Sequence, residues 1–129
     1  MVRYLSPEWL AELGACVAED ETLRRAARQA PITVAVRVTG APGGDVAYQI
    51  RAQEGRVSIV PEAGSCDVQL TTDYPTARAI ATGTINAQSA FVSGRLILAG
   101  ELDRLVESQP FFVAFDDASA PLHERTEFD

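Results

Sequence analysis

Lysine is missing from this chain; all eleven basic residues are arginine. That absence excludes Schiff-base chemistry, a pyridoxal anchor and a phosphate-loop lysine together. Histidine is nearly absent as well. His123 is the single one and lies in an acidic C-terminal stretch, where nothing suggests the pocket a general base needs. An exposed place on a tail is expected for it. Cysteine is limited to Cys16 and Cys66, which make no CxxC pair and no cluster with histidine. No metal site is expected, and both thiols read as small buried hydrophobes in a reducing compartment. No apolar run approaches the length of a membrane span. Residues 1–7 carry no apolar signal-peptide core, so a cytoplasmic location is expected. There is no GxGxxG, and Gly43-Gly44 reads as a turn. Ser65 and Ser93 lack the flanks of a nucleophile elbow. Asp116 and Asp117 are neighbours in sequence that need not share a site, and suit solvation or a helix cap. The chain offers no catalytic set, and neither an enzyme nor a cofactor is expected.

What is present is a single domain's worth of chain, 129 residues with an apolar fraction of 47%. Its charge is uneven. Of a formal net charge of −7, residues 101–129 contribute −6, with eight acids against Arg104 and Arg125. Acids gathered at one end argue against nucleic acid and against anything more than transient contact with an anionic membrane. Abundant alanine and arginine without lysine also suits a GC-rich bacterial genome.

Ser6-Pro7 opens a helix whose apolar stripe is Trp9, Leu10, Leu13 and Val17. Asp20 caps a second helix to about Gln29, with Leu23, Ala26 and Ala27 inward; Arg24, Arg25 and Arg28 form a solvated face or an anion patch. Then period-2 alternation sets in. Ile32, Val34, Val36 and Val38 make one strand, Val46, Tyr48 and Ile50 a second, and Val57 and Ile59 a third. Short turns between them predict an antiparallel meander, apolar on one face and polar on the other through Arg37, Gln49 and Arg51. Residues 61–65 read as a loop. Past Gly100, Leu102, Leu105 and Val106 suggest a short helix, followed by the aromatic run Phe111, Phe112 and Phe115. Residues 1–117 are read as the domain and residues 118–129 as an acidic, flexible tail.

The most informative stretch is 67–100. Val68 and Leu70 alternate as a strand, and Asp73 caps a helix carrying Ala77, Ile80 and Ala81 that ends at Gly83. Asn86 caps a shorter helix with Ala90 and Phe91, stopped by Gly94. Leu96, Ile97 and Leu98 are apolar on both sides, which predicts a strand covered on both faces. The pattern Asp67-Val68-x-Leu70, Gly83, Asn86-x-Gln88-x-Ala90-Phe91, Gly94-Arg95-Leu96 and Gly100 resembles the sterol-carrier-protein, or non-specific lipid-transfer, family. One departure is Arg95, where that family usually has lysine. The resemblance is concentrated in 67–100 and extends more loosely over 5–106.

This resemblance implies an α/β (α+β) domain with a five-stranded, mostly antiparallel or mixed sheet. Helices would pack on one face and enclose an apolar tunnel. Without it, the apolar side chains would simply meet one another. With it, Val34, Val36, Tyr48, Ile50, Ile59, Leu70, Ile80, Phe91 and Leu98 become candidate walls for a fatty acyl, sterol-like or isoprenoid ligand. Phe111, Phe112 and Phe115 become either a wall or lid, or a clamp for the C-terminal segment. Tyr48 and Gln88 are candidates for a polar head group. The expected partner is a hydrophobic small molecule, with a protein partner conceivable through the acidic C-terminal segment. Two rivals make different demands. An enzyme-like pocket needs Tyr48, Gln49 or Asp67 facing the cavity; an accessory subunit needs a collapsed core and an exposed aromatic patch.

Overall fold

The structure is a computed structural model that describes residues 2–61 and 64–128. Residues 62 and 63 of the expected loop, and Asp129 of the expected tail, lie outside the described residues. A two-residue strand, β1 (Val2–Arg3), precedes helices α1 (Pro7–Ala18) and α2 (Glu21–Gln29). Strands β2 (Ile32–Thr39), β3 (Val46–Gln53), β4 (Arg56–Pro61) and β5 (Val68–Asp73) follow. The chain continues through α3 (Tyr74–Ala81), α4 (Ala87–Val92), β6 (Leu96–Gly100), α5 (Leu102–Glu107), α6 (Gln109–Glu124) and β7 (Thr126–Glu127).

The helices begin where their sequence says they should. Ser6 Oγ accepts from Trp9 N at 3.2 Å, and an Asp20 carboxylate oxygen accepts from Leu23 N at 2.8 Å. Asp73 and Asn86 accept in the same way from Thr76 N and Ser89 N, at 2.8 and 2.7 Å. Each bond satisfies an N–H that the first turn would otherwise leave unpaired. Gly83 and Gly94, both at φ +78°, end α3 and α4 in the left-handed conformation that glycine adopts without a Cβ penalty.

Five strands form one mixed sheet in the order β4-β3-β2-β5-β6. The meander is antiparallel, β5 joins β2 in parallel, and β6 returns antiparallel on β5. Alternation then sorts every strand into two faces. One carries Ile32, Val34, Val36, Val38, Tyr48, Ile50, Ala52, Val57, Ile59, Val68, Leu70, Leu96 and Leu98, in register across all five strands. Helix α1 seats on this face at β4, where Gly14 comes close to the Ile59 side chain. Its buried stripe of Trp9, Leu13 and Val17, with Leu23 and Ala27 of α2, forms the core with the sheet.

Four features differ from the sequence expectation. Strand β6 is not covered on both faces: it is an edge, and Ile97 is 60% exposed. Its uniformly apolar run hides an ordinary alternation, with Leu96 inward and Ile97 outward. The polar face is also less open than its composition predicts. Gln49 is buried there because Arg51 lies over it, donating Nε to Gln49 Oε1 at 3.1 Å. Beside it Gln53 Nε2 reaches Thr33 Oγ1 at 2.9 Å.

The remaining two concern the C-terminus. Residues 118–128 are no loose tail: they complete α6 and β7. Phe111, Ala114, Ser119 and Leu122 fall on one side of α6 and are buried, and the helix packs along α1 and α2. Pro121 sits in its last turn, where it has no N–H to donate to the Asp117 carbonyl one turn earlier, so the break falls near the end of the helix. After it, β7 pairs in parallel with β1, and Val2 N donates to Arg125 O at 3.0 Å. The tie is fixed from inside: Trp9 Nε1 donates to Thr126 Oγ1 at 2.9 Å, whose hydroxyl donates to Leu122 O at 2.6 Å. His123 is therefore half-buried beside Phe128, with ring centroids 6.2 Å apart.

Candidate functional site

Strand register places most of the expected wall residues in two adjacent rows on the helix-covered face. One row runs Tyr48, Val36, Leu70, Leu98; the next runs Ile59, Ile50, Val34, Val68. Their cover is graded. Tyr48 and Val36 are 9% and 8% exposed, whereas Leu70 and Leu98, toward the β6 edge, are only partly buried. Helices α1 and α2 serve the β3–β4 side, while α3, α4 and α5 touch the β5–β6 side over short lengths. A six-residue helix has about 9 Å of length to offer, so α4 and α5 leave part of the row uncovered.

The aromatic and helical candidates divide between wall and surface. Phe111 is fully buried, with Phe112 and Phe115 at centroid distances of 5.4 and 6.1 Å and partly buried against the core. That is the clamp arrangement for Phe111, with Phe112 and Phe115 available on its flank. Phe91 is 46% exposed, Ile80 is partly buried, and Gln88 lies exposed on α4. Exposed Val92, Leu102 and Val106 accompany Phe91 on the elements at the β6 end.

A tyrosine cluster, which the sequence pattern did not reveal, stands at the closed end of the first row. Burial pushes Tyr48 up to about 12. Burial raises Tyr4 far above its ordinary range, and the neighbouring Tyr48 and Tyr74 phenols add to it. The Tyr4 and Tyr48 phenols are therefore neutral near pH 7 and serve as hydrogen-bond groups, not bases. Tyr4 donates to Ala77 O over a long 3.4 Å, and the buried Tyr74 hydroxyl has no hydrogen-bond partner among the described residues. An orphan hydroxyl in an apolar setting costs on the order of 1–3 kcal/mol, which a ligand oxygen would recover.

The other polar candidates are committed elsewhere. Asp67 accepts from Arg104 Nη1 and from Thr33 N, each at 2.8 Å, and so ties β5 to α5 and β2. Gln49 belongs to the opposite face. Neither stands with Tyr48 as a catalytic group. Among the described residues no three His, Cys, Asp or Glu side chains gather as metal ligands, and no helix is long and apolar enough to cross a membrane. The best-formed concavity is a shallow cleft of about 360 Å³ over the β2–β5 seam, lined by Ala35, Val36, Arg37, Gln69, Leu70 and Thr71. It is open to solvent and mostly lined by the polar face, so it is not the enclosed apolar tunnel.

Comparison with known proteins agrees with this architecture. The sequence pattern of the SCP-2 sterol transfer family matches residues 12–112. Among solved structures, a crystal structure of sterol carrier protein 2 superposes with a TM-score of 0.73 at 19% identity, covering 91% of this chain and 97% of that one. The apo form of sterol carrier protein 2 from Yarrowia lipolytica gives 0.67 at 14% identity, covering 86% and 89%. A palmitated sterol-carrier-like protein from Aedes aegypti gives 0.59 at 21% identity, covering 84% and 94%. At such identities the likeness is one of fold. No curated protein sequence is a significant match to the chain.

Proposed function

The chain belongs to the SCP-2 sterol transfer family, and from that premise we propose that it carries one elongated apolar ligand between its sheet and its helices. Lipid binding and transfer come with the family; where and how this chain does it is our reading. The observation behind it is the graded cover of the row Tyr48, Val36, Leu70, Leu98, closed at one end and thinly covered at the other. An acyl chain, sterol-like or isoprenoid lipid would lie along that row. Its tail would leave water near Leu98 and Phe91, and its polar end would meet the phenols of Tyr48 and Tyr74. Each buried methylene contributes about 0.8 kcal/mol, so roughly ten of them give about 8 kcal/mol before the cost of ordering the chain.

Binding of this kind needs no covalent step, and carriage without conversion is the proposed role. The helices over β5–β6 must part to admit a ligand, because the apolar side is closed over β2–β3. Short α4 and α5 are suited to that, since short, thinly packed elements open at low free-energy cost. The acidic C-terminal segment, residues 101–129, disfavours docking on anionic lipid, and a protein partner at that surface would suit delivery better. The solved palmitated relative supports an acyl ligand as the first to try. The test is native mass spectrometry of the protein as purified from cells, followed by denaturation and organic extraction. A co-purifying lipid near one per chain is expected. An empty protein that also refuses fatty acid, sterol and quinone probes overturns the carrier reading.

A further inference from the structure

The two edges of the sheet are treated differently. Strand β4 is protected, with α1 packed against it, Arg56 at its start and Pro61 at its end. Strand β6 is bare: Leu96–Gly100 contains no charge, no proline and no long polar side chain, and no described strand pairs with its outer side. Ile97 is 60% exposed beside it, and Val92 of the adjoining α4 is 80% exposed. An apolar edge of this kind is a template for another strand, which natural sheets usually block.

The sequence around this edge is complementary to itself. Laid antiparallel about a two-fold axis through Leu98, β6 of one copy opposes β6 of another so that Leu98 meets Leu98, Ile97 meets Ala99 and Leu96 meets Gly100. The next pair outward is Arg95 with Glu101, and it occurs twice. Both residues are exposed and opposite in charge. The backbone parity fits as well. Glu101 N donates to Asp67 O across β5–β6 at 2.9 Å. In an antiparallel ladder the bonded residues alternate, which turns Ile97 and Ala99 to β5 and the N–H and C=O of Leu98 to the open side.

We propose that β6 pairs antiparallel with β6 of a second copy of this chain, giving a two-fold dimer with one continuous sheet. The side chains of Ile97 and Ala99 then cover each other on the polar face, and Arg95 and Glu101 lock the register from both ends. A single isologous contact closes on itself, so the assembly stops at two. This inference is independent of which ligand, if any, the domain carries.

Sedimentation velocity on the purified full chain over a concentration series tests it. The wild type is expected to sediment as a dimer of about twice 13.9 kDa at high micromolar concentration and to dissociate on dilution. Arg95→Glu places like charges in both end pairs and should raise the dissociation constant at least about tenfold; Ile97→Lys, which installs a common edge-blocking residue, should do the same. The double exchange Arg95→Glu with Glu101→Arg should restore dimerisation. Within one chain that exchange worsens the surroundings of both charges, since Asp73 neighbours Arg95 and Arg104 lies 3.8 Å from Glu101. Recovery therefore has to come from the second copy. A wild type that stays monomeric throughout overturns the proposal, even if the edge captures an extended peptide of another protein. So does a dimer indifferent to both single variants.

Discussion

Leu70 and Gln69 are consecutive residues of β5 on opposite faces, which makes them a matched pair for locating the ligand. Leu70 lies in the row between Val36 and Leu98, partly buried; Gln69 points to the polar face and is exposed. Leu70→Asp puts a carboxylate where the apolar chain is expected to lie. Removing a partly buried leucine costs folding about 1–2 kcal/mol, less than the 1.5–3 kcal/mol of a fully buried one. Burying an unpaired carboxylate against a lipid tail costs several kcal/mol more. Even 2 kcal/mol is about thirtyfold in affinity, so a loss of at least that size is expected. Gln69→Asp adds the same charge to the same strand on the other face. It should change affinity by less than about twofold and stability by no more than about 0.5 kcal/mol. Displacement of a fluorescent fatty acid reads affinity, and circular dichroism with a urea midpoint confirms that each variant is folded. If Leu70→Asp unfolds, Leu98→Asp makes the same test nearer the sheet edge. Equal losses from both β5 variants would refute the placement. A larger loss from Gln69→Asp would move the ligand to the open cleft over the β2–β5 seam.

Three further outcomes test the frame that holds the row. Thr126→Val keeps shape but leaves the buried Trp9 N–H unpaired, which should cost about 1–3 kcal/mol; Trp9 is the single tryptophan, so urea unfolding followed by its own fluorescence measures the loss. Asp73 is held below its ordinary carboxylate range first by Thr76, whose N–H donates to it at 2.8 Å, with Arg95 adding to it. Because the folded value is depressed, the stability it contributes is complete above about pH 4 and is lost as pH falls through the lowered value. Asp73→Asn keeps a capping oxygen without the titration, and should flatten the stability curve below about pH 4. Gly100 has φ +105°, and a Cβ there would collide with the Asp67 carbonyl oxygen. Gly100→Ala should therefore lower stability by about 2–4 kcal/mol in denaturant titration.

How much of this could be read in the sequence depends on whether the signal was local. Caps at Ser6, Asp20, Asp73 and Asn86, and the alternation of β2 through β5, are decided within a few residues and were legible. So was the apolar face itself, because alternation in each strand fixes which residues share it once register is set. The β6 edge was misjudged because three consecutive apolar residues look the same whether a strand is central or peripheral; only pairing order distinguishes them, and that is a non-local property. The C-terminal helix had a local signal that its composition masked. Phe111, Ala114, Phe115, Ala118, Ser119 and Leu122 keep helical spacing through Asp116, Asp117 and Pro121. Its docking, through Trp9 and Thr126, joins residues 117 apart and had no signature to find. The tyrosine cluster is of the same kind, since Tyr4 comes from the turn before α1, Tyr48 from β3 and Tyr74 from α3. The walls of the site follow from a repeating pattern, whereas its polar end is an arrangement of single residues that folding alone brings together.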